Sequence, residues 1–324
     1  MEGQKRINTV DRIRGLSVLL MIIANVLKPF DGIPPWMKHA HPYGLTFVDF
    51  IAPGFFFMIA ITYSLSFNKR VEVHEKQAVY RHFRMRALYI FLIGTTLMFI
   101  EMVAPFSHGF DVNILQAISL AILVSLPFMA LKIPGKMIIG FSIGLGEHIL
   151  LRYLNGSDYM LKETRAMGVI GWVGLLFLGL ALGELFFLCR EKNSYRPFWL
   201  FSIIYILLGL FLSRWIPLFH SAATLSYNLL TTGTVSILFI ITYSLTEDKI
   251  PQRGFFCVWG SNPLIAFISH FLLIILCRSL IYLFDISSSF SFVHIIFFFL
   301  YLGLMQSLLL LLFRKQILIK AGGK

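Results

Sequence analysis

Ten apolar runs, each close to the length of a bilayer crossing, constrain this chain more than any other feature. They fall near residues 10–28, 46–67, 87–104, 113–132, 136–153, 167–189, 198–215, 223–245, 258–282 and 292–313. A spanning helix takes about 20 predominantly apolar residues, and inside a bilayer its backbone polar groups must be satisfied within the segment. A chain of 324 residues holds roughly ten such units with their connections and little else. The expected fold class is therefore all-α: a polytopic membrane protein of about ten transmembrane helices, forming one domain over residues 1–324. Only 14% of the residues are charged, against about 25% in soluble domains, so a soluble class is excluded.

The basic residues give an orientation. With the N-terminus inside, 21 of the 28 Lys and Arg residues fall on the inner side. They include Arg12, Arg14, Lys69, Arg70, Arg84 and Arg86. That bias marks the cytoplasmic side, places both termini there, and predicts a multi-pass protein of the cell membrane. It also accounts for the formal net charge of +12, so nucleic acid is not an expected partner. The first apolar run lacks a small-residue cleavage motif and reads as a first span rather than a removable leader. Cys189, Cys257 and Cys277 have neither metal-ligand spacing nor the pattern of a disulfide framework, and no metal is expected. The small-residue pairs Gly140/Gly144 and Gly179/Gly183, with Gly168, Gly171 and Gly174, predict a tightly packed sixth span. Nothing decides between a monomer and a homodimer.

Ionisable groups inside a bilayer cost on the order of 2.5–3.5 kcal/mol each on insertion scales, so their positions point to function. Here they are Asp49, Glu101, Glu147, His148, Glu184, His270 and Arg278. Glu101 and Glu184 lie near helix ends, and Glu147 and His148 in the outer half of span five, where water can reach them. His270 falls near mid-membrane, about 12 Å beyond Asn262 along a helix. It fits a hydrogen-bonded core histidine as well as a functional one.

The richest stretch is WMKHAHPYGLTFVDFIAP, residues 36–53. It gathers Lys38, His39, His41 and Asp49 in and after an outer loop stiffened by Pro34, Pro35 and Pro42. A histidine oriented by a carboxylate is the side-chain pair best suited to general-base work near neutral pH. Spacing alone leaves that reading level with a solvated loop and a helix-end aspartate. On the inner side, Arg81, Arg84 and Arg86 precede span three, and Arg14 follows Asp11 by three residues. Such arginines set topology, bind lipid headgroups, or hold phosphates with their forked donors.

These stretches together resemble the catalytic region of the heparan-α-glucosaminide N-acetyltransferase family. The match rests on an Asp-x-x-Arg-Gly turn (Asp11, Arg14, Gly15), on Asn25, and on Lys38-His39-Ala40. Gly44-Leu45-Thr46, Asp49, and Pro53-x-Phe55-x-Phe57 follow. Further along, RMRALYIFLIG, ILQ at 114–116 and GSNPLIAFISH at 260–270 extend it over nearly the whole chain. The sequence departs at Gly54, where the family often has Trp, and at Ala60, where it has Gly. It departs most in PLFHSAATLSY at 217–227, which keeps Pro217, Thr224, Ser226 and Tyr227 but has Phe219-His220 for Asn-Lys and Ala222-Ala223 for Leu-Trp.

The resemblance implies a membrane acetyltransferase that takes acetyl-CoA from the cytosol and acetylates an amino sugar or glycan on the opposite face. On that pattern, Arg14, Arg84 and Arg86 would hold the phosphates of the donor, and its pantetheine arm would pass Asn262 and His270. His39 would act as general base, Asp49 would orient it, and Asn25 would donate a hydrogen bond to the developing oxyanion. The changes at 219–223 leave the acceptor open. An O-acyltransferase of envelope glycan or lipid and a secondary transporter without acyl chemistry stand as alternatives.

Overall fold

A computed structural model describes residues 7–27, 33–40, 43–104, 112–155, 164–247, 254–283 and 292–315. Among them are eleven α-helices and no strand. The helices are α1 Asn8–Leu27, α2 Ile51–Val73, α3 Lys76–Met102, α4 Ile114–Ser125, α5 Ile133–Asn155 and α6 Thr164–Glu191. They continue as α7 Arg196–Leu212, α8 Leu225–Thr246, α9 Phe255–Ser261, α10 Pro263–Leu283 and α11 Phe292–Arg314. The all-α expectation holds. Among the described residues, five helical segments are long and apolar enough to cross a membrane, and six if α9 and α10 form one bent span.

That bend is the main departure from the expected helices. The apolar run at 258–282 reads as one straight span, but the chain turns by 85° between α9 and α10. Asn262 sits at the corner with φ −128° and ψ 58°. Pro263 is the cause: its ring disfavours helical geometry at the preceding residue and it has no N–H to donate back across the corner.

Helix α6 is the hub. Its apolar window is 72% buried, against 22% for those of α3 and α5, so the sixth span is the tightly packed one its glycines predict. A Cβ on Gly179 would lie 3.1 Å from Ala60 Cβ, and one on Gly140 would meet Leu178 at 3.0 Å. Within this core, Lys136 pairs with Glu184, which also accepts from Ser64 Oγ at 3.1 Å. Glu184 is therefore neutralised by a cation and not simply hydrated at a helix end. Glu147 also differs from expectation: it is 1% exposed, and among the described residues neither carboxyl oxygen has a hydrogen-bond partner.

Two crossings explain sequence motifs that look unrelated. A Cβ on Gly15 would stand 1.9 Å from the Phe256 carbonyl oxygen, and one on Gly260 only 1.8 Å from that of Asp11. The Asp-x-x-Arg-Gly turn of α1 and the Gly-x-Asn corner of α9 are thus two halves of one backbone-to-backbone contact. Glu247 caps the start of α1, accepting from the Asn8 and Thr9 N–H groups at 2.9 and 2.8 Å, where the helix dipole favours an anion. At the second crossing, Asn113 and Gln116 form a capping box for α4, and Gln116 Nε2 donates to Thr95 Oγ1 on α3 at 3.0 Å. A Cβ on Gly94 would press on Gln116 at 3.1 Å.

Candidate active site

The loop before α2 builds a histidine–carboxylate pair from local rules. Pro35 opens a 3-10 turn over Pro35–Met37, after which Lys38 is extended and the chain runs back toward α2. Thr46 and Asp49 then form a capping box at the turn Phe47–Phe50 that leads into α2. Asp49 Oδ2 accepts from the Thr46 N–H at 2.8 Å and the Ala40 N–H at 3.2 Å. The Thr46 hydroxyl lies 3.1 Å from the same oxygen and 2.6 Å from the Lys38 carbonyl, which ties the loop to the helix start. The other oxygen, Oδ1, lies 2.7 Å from His39 Nδ1. The Asp49 side chain is fully buried while that of His39 is 44% exposed, so the carboxylate is fixed and the imidazole reaches outward. An ionised carboxylate only accepts hydrogen bonds, so His39 carries its hydrogen on Nδ1 and presents Nε2 as a base. The main chain is anchored as well, because Tyr227 donates its hydroxyl to the Asp49 carbonyl at 2.6 Å.

A second histidine completes the cluster. His220 stacks on His39 with ring centroids 4.3 Å apart and planes 7° from parallel. Its Nδ1 lies 3.6 Å from Asp49 Oδ1, and its Nε2 lies 3.2 Å from Ser221 Oγ. The residues of the 217–227 segment that keep the family pattern hold this loop in place. Thr224 Oγ1 donates to the Pro217 carbonyl at 2.7 Å, and Ser226 Oγ to the Ile216 carbonyl at 2.7 Å. Ala223 turns the chain with φ 54°, and Gly168 and Gly171 of α6 admit its backbone, since a Cβ on either would stand 2.2 Å from a loop carbonyl. Of the four changed residues in this segment, His220 is the one that packs against His39 and Asp49. Sequence alone shows it as the loss of a lysine, and nothing local links it to His39.

His39, Asp49 and His220 offer ligand atoms within 4.8 Å of one another, close enough to ask whether they hold a metal. Imidazole lone pairs lie in the ring plane, so two near-parallel rings direct them side by side and not toward one point. The arrangement suits two imidazoles served by one carboxylate better than a metal centre.

The other anticipated residues fall into two groups. Asn25 Nδ2 lies 3.4 Å from His270 Nε2, His270 Nδ1 bonds the Tyr301 hydroxyl, and Arg278 donates to the Asn25 carbonyl at 3.3 Å. Asn25 and His270 therefore meet in one partly buried polar network. Arg14 and Arg86 line a cavity of about 390 Å³ among α1, α2, α3, α4 and α10. Arg14 also contacts Asp11 Oδ1 at 3.3 Å and the Gly260 carbonyl at 3.4 Å, which fixes it beside the α9–α10 corner. Phe55, Ile59, Phe83, Ile118 and Phe267 make the cavity walls largely apolar. Along α2 it extends from Ser66 to Ala52, about 21 Å at 1.5 Å per residue. Arg84, Asn262 and His270 are not among its described lining residues; Ser261, Pro263 and Leu264 line it at the corner instead. His41 lies outside the described residues.

The model of a protein family described as heparan-alpha-glucosaminide N-acetyltransferase, catalytic, matches residues 6–215. The match takes in His39, Asp49, Arg14 and Arg86 and ends just before the loop that carries His220. No curated protein matches the chain.

Proposed function

The chain belongs to the heparan-alpha-glucosaminide N-acetyltransferase catalytic family, a family of membrane acetyltransferases, and from that premise we propose that it moves an acetyl group from cytosolic acetyl-CoA to an extracytoplasmic acceptor. The acceptor is an amino or hydroxyl group of a sugar or glycan. In this reading the chain crosses the membrane ten times with both termini cytoplasmic, α9 and α10 making one broken crossing.

One observation carries the proposal: the cavity is lined by Arg14 and Arg86 and along α2 reaches Ala52, three residues from Asp49. The guanidinium groups of Arg14 and Arg86 suit the phosphates of CoA, and the apolar length beyond them suits its extended pantetheine arm. The thioester would then arrive beside the His39–Asp49 pair. His39 Nε2 takes the proton of the attacking amine or hydroxyl, and Asp49 holds the ring and stabilises the imidazolium. Asn25 continues the α1 face of Arg14, Val18 and Met21 one turn further out, where its amide would meet the thioester oxygen. A donor in that position is worth about 10²–10³ in rate. Arg84, Asn262 and His270 do not line the cavity; Asn262 forms the α9–α10 corner and His270 contacts Asn25.

The 85° break favours a second reading, since broken helices also build the substrate sites of secondary transporters. Donor binding separates the two. Saturation at a hundred times the dissociation constant adds about 2.7 kcal/mol of stability, readable as a rise in melting temperature of the detergent-purified protein. Acetyl-CoA is expected to produce that rise where acetate and adenosine do not, with the effect reduced in Arg14→Ala and Arg86→Ala and retained in Arg84→Ala. No rise at millimolar acetyl-CoA would overturn the acyl-transfer reading in favour of transport.

A further inference from the structure

We infer that His220 is a second catalytic histidine, the acid that protonates the departing sulfur while His39 takes the proton of the acceptor. The inference rests on the acyl-transfer reading above and goes beyond it by assigning a role to a residue outside the matched region.

The argument begins with the shared carboxylate. Both Nδ1 atoms face Asp49 Oδ1, at 2.7 and 3.6 Å, from rings stacked 4.3 Å apart and nearly parallel. The two imidazoles therefore lie about one ring spacing apart, with His220 Nε2 against the Ser221 hydroxyl at 3.2 Å. In the tetrahedral intermediate of acyl transfer, the entering nitrogen or oxygen and the leaving sulfur occupy neighbouring vertices of one carbon. Two imidazoles stacked one ring spacing apart can each serve one of them. The single buried carboxylate lies against both rings, so an imidazolium formed on either has its counter-charge in place. Both side chains are partly exposed, 44% for His39 and 23% for His220, so the pair can exchange its proton with water between turnovers.

The step balances. The acceptor X–H attacks the thioester carbon, the X–C bond forms, and its proton passes to His39 Nε2. The C–S bond breaks, its electron pair leaves with sulfur, and the His220 imidazolium delivers the proton that makes CoA–SH. The pair ends with as many protons as it began with. The loop is built for placement and not for reach: Gly168 and Gly171 admit it, Thr224 and Ser226 tie it, and the Ser221 hydroxyl sits against His220 Nε2.

The test measures CoA release from acetyl-CoA by the full-length protein with glucosamine, a hydroxyl-only sugar or water as acceptor. His220→Ala, His220→Gln and His220→Lys are compared with wild type over a range of pH. Removing a general acid typically costs about 10²–10⁴ in rate. The expected result is a fall of at least about a hundredfold in kcat with KM for acetyl-CoA unchanged, and loss of one limb of the pH–rate profile. His39→Ala/His220→Ala should be no slower than the worse single variant. If alanine collapses the loop, as a lost acetyl-CoA melting shift would show, the Gln and Lys variants carry the test. Variants within threefold of wild type with an unchanged pH profile would overturn the role of His220 while leaving acyl transfer standing. A wild type that releases no CoA above background would overturn both.

Discussion

Replacing Asp49 by asparagine keeps the shape of the site and changes one thing, the hydrogen carried by His39. In the native site Oδ2 faces the Thr46 and Ala40 N–H groups and the Thr46 hydroxyl, whereas Oδ1 faces the two imidazoles, His39 Nδ1 at 2.7 Å and His220 Nδ1 at 3.6 Å. An asparagine must therefore place its carbonyl oxygen toward the donors and its amide nitrogen toward the imidazole. The amide donates where the carboxylate accepted, so Nδ1 becomes the acceptor and the ring's hydrogen moves to Nε2. A base already protonated at the working nitrogen loses on the order of 10⁴ in kcat when a triad aspartate is changed in the same way. The stability cost is smaller, because bonds to a charged acceptor are worth about 1.5–3 kcal/mol each and neutral ones about 0.5–1.5. The Tyr227 bond goes to the backbone carbonyl and survives. Asp49→Asn should thus stay folded and keep its acetyl-CoA-induced melting shift while losing nearly all transfer. The assay is single-turnover CoA release, with the melting shift as control. Transfer within tenfold of wild type would refute the orienting role of Asp49.

Further outcomes follow from the packing. Gly15→Ala and Gly260→Ala each drive a Cβ into a backbone oxygen less than 2 Å away, so both should lower the melting temperature by at least the cost of overpacking, about 1–3 kcal/mol. The same variants should weaken acetyl-CoA binding, because the crossing positions Arg14; a Gly260→Ala protein of native stability and affinity would contradict this. In the Lys136–Glu184 ion pair the lysine side chain is 1% exposed and that of the glutamate 14%. Glu184→Gln should therefore cost more than Lys136→Met, about 3–5 kcal/mol against less, and the double variant should recover much of it. Thermal melts of the three variants check that order, and equal losses would count against it.

The sequence made the architecture and half of the candidate site readable. Apolar runs of bilayer length define an all-α chain because lipid leaves the backbone no other partner. The His39–Asp49 pair was legible because the segment that joins them is short and its turn chemistry is local: prolines, then a Thr-x-x-Asp cap. What lay beyond reach depended on long-range contact. His220 is 181 residues from His39 and appears in the sequence only as a departure from a pattern, yet the retained Thr224 and Ser226 exist to hold it there. Asn25 and His270, given separate roles, share one network across 245 residues. The corner at Asn262 did carry a local sign in the proline that follows it, outweighed by the apolar length of the run. Glu147 carried none, since burial of that helix face is decided by neighbours.

The most direct measurement of the central claim is transfer across a membrane. Proteoliposomes oriented with the cytoplasmic face outward would receive acetyl-CoA labelled in its acetyl group on the outside, with glucosamine enclosed. The account predicts label on the enclosed amino sugar with the wild type, and a loss of at least about a hundredfold in His39→Ala, the scale expected for removal of a general base. Label that never leaves the donor, or equal transfer by His39→Ala, would contradict it.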